Sequence, residues 1–184
     1  MGLKMLNYHH EISERITNRA KWPNFERSDF LIELNAIAED SFLHKTIDGY
    51  LGALLIYHQL AEEILKLLLE DSQFLIQLRV YPAPIRFPQR RRQMFGNLLD
   101  ELESTLDFEL KPEIIEYARG INDRRIRLVH GLTRESSTEN IDKDIRWVKS
   151  CFTLLFDCFS NAHHSFLQQF EAEQQRQIWS AESH

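Results

Sequence analysis

Residues 47–68, IDGYLGALLIYHQLAEEILKLL, carry the clearest structural signal in the chain. Mostly apolar side chains recur there at alternating steps of four and three residues: Ile47, Leu51, Leu54, His58, Ala61, Leu65 and Leu68. This spacing follows one face of an α-helix, whereas a half-buried strand would place apolar residues at every second position. The segment therefore predicts a helix that buries one stripe in a helical bundle.

Weaker helical patterns precede this segment. Residues 9–21 are polar and predict a short helix that Pro23 ends. Ser28 and Asp29 favour the start of a further helix. Its predicted apolar face consists of Phe30, Leu31, Leu34, Ile37 and Ala38.

Helical patterns also follow, after a connection at 80–88 whose three prolines exclude a helix. Pro112 suits the first turn of one later helix, and Gly131 suits its end. The segments with helical spacing are 94–102, 112–130 and 152–170. The last of them places phenylalanines at steps of four and three, which indicates a core or dimer face.

Together these patterns predict an all-α fold, an up-and-down bundle of four principal helices with N-terminal helical additions. We expect one domain over residues 1–184. Its core bundle would span about 44–171, with a helical extension at 1–43 and a frayed polar tail at 172–184.

The composition favours a cytoplasmic protein. The chain has 184 residues, of which 43% are hydrophobic, enough to bury a core. No apolar run reaches the roughly 20 residues of a membrane span, and we expect neither a secretory signal nor a membrane partner. Cys151 and Cys158 are two helical turns apart, too far for a disulfide within one helix. Reduced thiols are expected, and a bridge between two subunits is the alternative.

Charge is uneven along the chain. The net charge is −6, which disfavours indiscriminate coating of nucleic acid. The segment from Arg79 to Arg134, however, contains eleven Lys and Arg and only eight Asp and Glu. Three arginines, Arg90, Arg91 and Arg92, precede a predicted helix start, where the helix dipole disfavours cations. Either an anionic ligand compensates them, or they form a solvated helix start.

Several chemistries are disfavoured by missing motifs. The chain has no GxxxxGK[ST], no GxGxxG and no GxSxG. No histidine has another histidine three or four residues away, and no Glu-x-x-His occurs. The helical zinc and di-iron signatures are therefore absent, and we expect no metal and no cofactor. His58 and His163 lie on apolar stripes, which is typical of hydrogen-bonded core histidines.

Residues 121–131, INDRRIRLVHG, depart from the bundle pattern. The apolar line of their helix reads Ile114, Ala118, Ile121, Arg125 and Leu128. A guanidinium is costly to bury without a partner, so Arg125 must reach a carboxylate or line a wet cleft or interface. His130 ends the same helix, where the dipole favours its charged form. A purely structural alternative is that Arg125 is paired and His130 caps the last turn.

This segment resembles the Arg-x4-6-His motif of HEPN domains. The residues that carry the likeness are Asn122, Arg125, Leu128, Val129, His130 and Gly131, and the segment 57–66 resembles the first bundle helix of that family. The likeness covers about residues 44–170. It implies a bundle that dimerises around the motif helix, with Arg and His of both subunits facing one groove. Many HEPN domains cut RNA without a metal, and others only bind nucleic acid or nucleotides.

The resemblance implies roles for the motif residues. Arg125 would stabilise charge on the scissile phosphate, and His130 would act as general acid or base. The family commonly has Asn, Asp or His directly after the arginine, where this chain has Ile126. Asn122 and Asp123 are the candidates to replace that polar group, although Asp123 could instead pair with Arg127.

Flanking phosphates would be held by other arginines. The candidates are Arg124, Arg127 and the cluster Arg90, Arg91 and Arg92. The leading hypothesis is thus a homodimeric, metal-independent endoribonuclease, in a toxin–antitoxin or phage-defence setting, with RNA and a cognate antitoxin or regulatory protein as partners. One alternative is a non-catalytic HEPN-like module that binds RNA, a nucleotide or a protein. Another is a helical regulator that resembles mannitol-operon repressors.

Overall fold

The computed structural model describes the backbone of residues 2–87, 94–135 and 137–182, and the side chains of residues 10–177 within those ranges. The described residues form six α-helices and no β-strand, which confirms the predicted all-α bundle. The helices are α1 (Gly2–Thr17), α2 (Ser28–Leu43), α3 (Ile47–Val80), α4 (Phe95–Glu103), α5 (Lys111–Gly131) and α6 (Thr138–Glu182). None of them combines the length and apolar character needed to cross a membrane.

Helix α3 is the centre of the bundle. It packs against α2, α4, α5 and α6, and α6 also packs along α5. Leu67, Leu68 and Leu69 are consecutive and all buried, so at this level α3 is covered over a wider arc than a single apolar stripe. The N-terminal extension joins the same core, because Trp22 packs edge-on against Phe170, with ring centroids 5.6 Å apart.

Local signals explain where the helices begin. Thr46 caps α3 by accepting a hydrogen bond from the Gly49 amide at 3.2 Å. Gly49 is also a close-approach position, because a Cβ there would lie 2.4 Å from the carbonyl oxygen of Ser41 on α2. Pro112 lies in the first turn of α5, as predicted, and α5 ends at Gly131.

The buried Lys111 joins α4 to α5. Its ammonium group donates to the backbone carbonyls of Glu103 at 2.9 Å, Thr105 at 3.1 Å and Leu106 at 3.4 Å. These carbonyls lie at and just after the C-terminal end of α4, where helix carbonyls lack partners within the helix. Lys111 therefore satisfies the end of α4 from the start of α5.

Helix lengths differ from the prediction. Helix α1 occupies Gly2–Thr17 rather than 9–21, and α3 continues past 68 to Val80. The tail expected to fray from residue 172 is part of α6, which continues to Glu182. Long polar side chains hold this end: Gln174 donates to the Ile16 carbonyl at 2.6 Å and Gln177 to the Leu78 carbonyl at 2.7 Å. Such contacts leave no apolar stripe in the sequence.

Helix α2 is rotated from its predicted orientation. Ala38 is buried as expected, but Phe30 and Ile37 of the predicted inner face are exposed. The other buried residue of α2 is Phe42. Its ring lies 5.9 Å from the ring of Tyr50 on α3.

Both cysteines are free thiols on α6. Cys151 is buried and Cys158 half-buried. Burial raises the pKa of the Cys151 thiol to about 11, so this group stays protonated at neutral pH.

Candidate functional site

Helix α5 presents the candidate site residues. Its inner line is formed by Ile114, Ala118, Ile121 and Leu128, all fully buried. Arg125 occupies the remaining position of this line and is half-buried. The helix is fixed by its apolar neighbours, so the place of the Arg125 backbone does not depend on a partner for the guanidinium.

Arg125 has no acidic partner in the part of the chain that the structure describes. Its Nε atom is buried and makes no hydrogen bond to any described residue. A half-buried guanidinium keeps its charge at every physiological pH, so this arrangement leaves a cation poorly compensated. Of the two placements predicted for Arg125, the structure therefore favours the cleft or interface over the ion pair.

His58 on α3 reaches the same region. Its Nε2 lies 3.2 Å from Oδ1 of Asn122 on α5, and its ring packs at a tilt against the ring of Phe95 on α4, with the centroids 4.4 Å apart. Burial lowers the pKa of His58, the bond to Asn122 opposes this, and the positive charge of Arg125 lowers the pKa further. The ring is therefore neutral at neutral pH and donates its Nε2 proton to Asn122.

The bond to His58 sets what Asn122 can offer a ligand. With Oδ1 accepting from His58, the amide nitrogen Nδ2 is left as a donor. Asn122 and Ile126 are four residues apart on α5, so they share one face of the helix. Asn122 thus places a polar group on the same helix face as Ile126.

Asp123 does not share this arrangement. It is exposed, and within the described residues no ion pair joins it to Arg125 or Arg127. The partner of Arg127 is Asp144 on α6. The alternative in which Asp123 pairs with Arg127 is not seen among the described residues, and of the two candidate replacements only Asn122 is held by a hydrogen bond to another helix.

Arg124 and Arg127 are both tied to α6. The guanidinium of Arg124 lies 3.1 Å from the ring centroid of Trp147 and its Nε lies 3.8 Å from Asp144, which also pairs with Arg127. Burial lowers the pKa of Arg124, against the opposing effect of Asp144. To hold flanking phosphates, as predicted, these two arginines would have to give up Asp144.

His130 is exposed in the last turn of α5. Five residues separate it from Arg125, which corresponds to about 140° around the helix axis. Between them, Ile126 and Val129 are 43% and 42% exposed, a high fraction for large apolar side chains. One chain therefore does not direct Arg125 and His130 at a common point, and an apolar strip lies next to both.

The remaining predicted site residues, Arg90, Arg91 and Arg92, lie outside the described residues. Among the side chains that are described, no group of three His, Cys, Asp or Glu is placed to hold a metal ion. Comparison of the chain with protein-family models, with curated proteins and with solved structures gave no match.

The partners of the two core histidines could not be predicted from the sequence. His58 and His163 are hydrogen-bonded, as expected: His58 to Asn122, and His163 through Nδ1 to Asp71 at 2.8 Å. The four residues come from three helices and are brought together only by packing. A histidine within an apolar stripe indicates that its ring needs a hydrogen-bond partner, but the sequence does not show which residue that partner is.

Proposed function

We propose that this chain is a metal-independent endoribonuclease that acts as a homodimer, with Arg125 and His130 as its catalytic residues. The observation that carries the proposal is the half-buried guanidinium of Arg125, whose Nε atom is buried and makes no hydrogen bond to any described residue. It lies in an otherwise apolar helix line, beside an amide that His58 holds in one orientation. A phosphate group is the kind of ligand that a guanidinium and an adjacent amide donor bind well.

The proposed dimer would bring Arg125 and His130 to one groove, which a single α5 helix does not do. One α5 directs Arg125 and His130 about 140° apart, but two copies of α5 facing each other across a two-fold axis can present both residue types to one groove. The exposed Ile126 and Val129 give such a contact an apolar centre. The dimer also follows the arrangement implied by the resemblance to HEPN domains.

The reaction would use the 2′-hydroxyl of RNA as its nucleophile. That oxygen attacks the adjacent phosphorus, the bond to the 5′-oxygen breaks, and the products are a cyclic phosphate and a 5′-hydroxyl. His130 would accept the 2′-proton or protonate the leaving oxygen. Arg125, with the Asn122 amide beside it, would stabilise the negative charge on the phosphoryl oxygens. DNA lacks the nucleophile and should remain intact.

The test is cleavage of labelled mixed-sequence RNA in the presence of EDTA. Arg125→Ala and His130→Ala should each reduce the rate by about 100-fold or more. Matched controls are Arg119→Ala, an exposed arginine of the same helix, and His164→Ala, an exposed histidine of α6. Both controls should cut at the wild-type rate.

A mixture of the two inactive variants tests the shared groove. In a dimer of one Arg125→Ala subunit and one His130→Ala subunit, each subunit supplies the residue that the other lacks. If one groove uses both subunits, the co-refolded mixture should regain part of the activity. Cutting that EDTA abolishes, or that survives in either single variant, would refute the proposed mechanism.

Binding of RNA without cleavage is the second candidate. It is favoured by Ile126, because the usual polar side chain next to the motif arginine is absent. Under this alternative, a folded wild-type dimer binds RNA without cutting it. Arg125→Ala then weakens binding and His130→Ala has little effect.

A further inference from the structure

The outward face of α2 combines exposed acidic and exposed apolar side chains. We define the α2 face by six exposed residues: Asp29, Glu33 and Asp40, and Ile32, Ile37 and Leu43. At 100° per residue, the three acids fall within an arc of about 40°. The apolar side chains flank this arc, with Ile32 and Leu43 on one side and Ile37 on the other.

The apolar side chains of this face are unusually accessible. Ile32 is 69% and Leu43 67% exposed, whereas the inner side of α2 buries only Ala38 and Phe42. Isolated exposed apolar residues are common on protein surfaces, but several on one helix face mark an interaction surface. The helix is therefore held to α3 by one side while a second apolar side is left open.

The charge of the helix selects the class of partner. Residues 28–43 contain four acidic side chains and no Lys or Arg. Of the four, Glu39 is already bound to Tyr57 and to Lys149. The other three face outward, and their charge repels RNA and anionic lipid surfaces.

A symmetric contact with a second copy is disfavoured for the same reason. In a two-fold pairing of α2 with α2, the acids of one copy would face the same acids of the other. Like charges brought together in an interface cost free energy and suppress that pairing. What remains is a polypeptide segment that carries both apolar and basic side chains.

We propose that the α2 face is a docking surface for a basic amphipathic segment, most simply a helix, of another protein. Ile32, Ile37 and Leu43 would bury its apolar side chains. Asp29, Glu33 and Asp40 would pair with its lysines or arginines and speed its association. This inference uses a different helix from the RNA site, so it stands or falls independently of the proposed nuclease function.

The test uses two synthetic amphipathic peptides of equal length and pattern, one of leucine and lysine and one of leucine and glutamate. Calorimetry should show binding of the lysine peptide only, weakened by added salt. Hydrogen exchange of the complex should show protection centred on α2. A variant that neutralises the face, with Asp29→Asn, Glu33→Gln and Asp40→Asn together, should bind the lysine peptide about tenfold more weakly or worse. A second variant that removes apolar side chains, Ile32→Ser with Leu43→Ser, should weaken binding to a similar extent.

The matched control lies on α6. Leu154 is 45% exposed and Asp157 is also exposed, so Leu154→Ser with Asp157→Asn removes the same kinds of group elsewhere. This variant should bind the lysine peptide as the wild type does. The proposal is overturned if neither peptide binds, if both bind equally, or if protection falls outside α2. A wild-type dimer that Ile32→Ser dissociates would assign the face to a second copy and overturn it as well.

Discussion

His58 and Asn122 join α3 to α5 through a hydrogen bond of 3.2 Å between Nε2 and Oδ1. Near this bond lies the guanidinium of Arg125, whose Nε makes no hydrogen bond within the described parts of the chain and whose positive charge lowers the pKa of His58. Since His58 is buried, its donor does not have bulk water as a ready substitute for the Asn122 oxygen. The pair therefore fixes the orientation of the Asn122 amide.

The coupling between His58 and Arg125 gives a first prediction. Burial lowers the pKa of His58, and the nearby positive charge of Arg125 lowers it further. Replacing that charge in Arg125→Met should therefore raise the pKa of His58. An NMR titration of the ring protons, assigned with His58→Gln, measures the change. Arg119→Met is the control on the same helix. If His58 titrates at the same pH in the wild type and in Arg125→Met, the His58 ring and the Arg125 guanidinium do not interact.

Lys111 gives a prediction about stability. Its ammonium group donates to three backbone carbonyls around the end of α4. Lys111→Met keeps the buried stem but removes the donors, so we expect a loss of roughly 2–3 kcal/mol in the free energy of unfolding. Urea denaturation measures it. Arg119→Met breaks only an exposed pair with Glu103 and should change stability by less than about 0.5 kcal/mol. Equal effects of the two variants would mean that the capping contacts contribute nothing.

Two glycines should respond to alanine in opposite directions. A Cβ at Gly120 would lie 2.4 Å from Cη2 of Trp147, whose ring also carries Arg124. Gly120→Ala must displace the indole and should cost about 1–3 kcal/mol. At Gly96 in α4 a Cβ meets nothing within 4 Å, and Gly96→Ala should be neutral or stabilise by up to about 1 kcal/mol. Urea denaturation measures the free energy of unfolding of both variants. A Gly120→Ala variant as stable as the wild type would contradict the tight packing of Trp147.

The sequence predicts the parts of this fold that depend on apolar periodicity. The stripe over 47–68 identifies α3, and Arg125 stands out because it interrupts the apolar line of α5. Helix ends held by polar contacts are not visible in this way. The C-terminal part of α6 is bound through Gln174 and Gln177 to backbone carbonyls on α1 and α3. Because glutamines also occur in frayed tails, their presence in the sequence does not predict these contacts.

Pairings between helices are the other feature that periodicity does not supply. His58 and Asn122 are 64 residues apart, and their contact depends on how α3 and α5 are rotated about their axes. The same rotation decides which side of α2 is open. Its apolar residues outnumber the positions that α3 can cover, so the sequence permits several faces to be the inner one. Packing against α3 selects Ala38 and Phe42.

The buried pair of Asp71 and His163 predicts how stability depends on pH. Burial raises the pKa of Asp71 from 3.8 to about 6, although its bond to His163 opposes the change. One oxygen of this carboxyl, Oδ1, is also buried without a hydrogen-bond partner among the described residues. The protonated form is therefore favoured in the folded state relative to the unfolded chain.

The sign of the effect follows from proton binding. Below pH 4 both states hold the proton and the contribution of Asp71 to stability is fully present. As the pH rises from about 4 to about 6, the unfolded chain releases its proton while the folded state still holds its own, so stability falls until the folded state ionises as well. A shift of this size corresponds to a loss of about 3 kcal/mol by pH 7.

Asp71→Asn should remove this dependence, because the amide keeps a polar contact with His163 but does not ionise. Urea unfolding of the wild type and the variant at a series of pH values between about 4 and 7 measures the difference. We expect Asp71→Asn to gain stability relative to the wild type as the pH rises, with most of the gain below pH 7. A difference that stays constant over this range would mean that Asp71 titrates as it does in the unfolded chain. A difference of the opposite sign would mean that the ion pair with His163 outweighs the cost of burial.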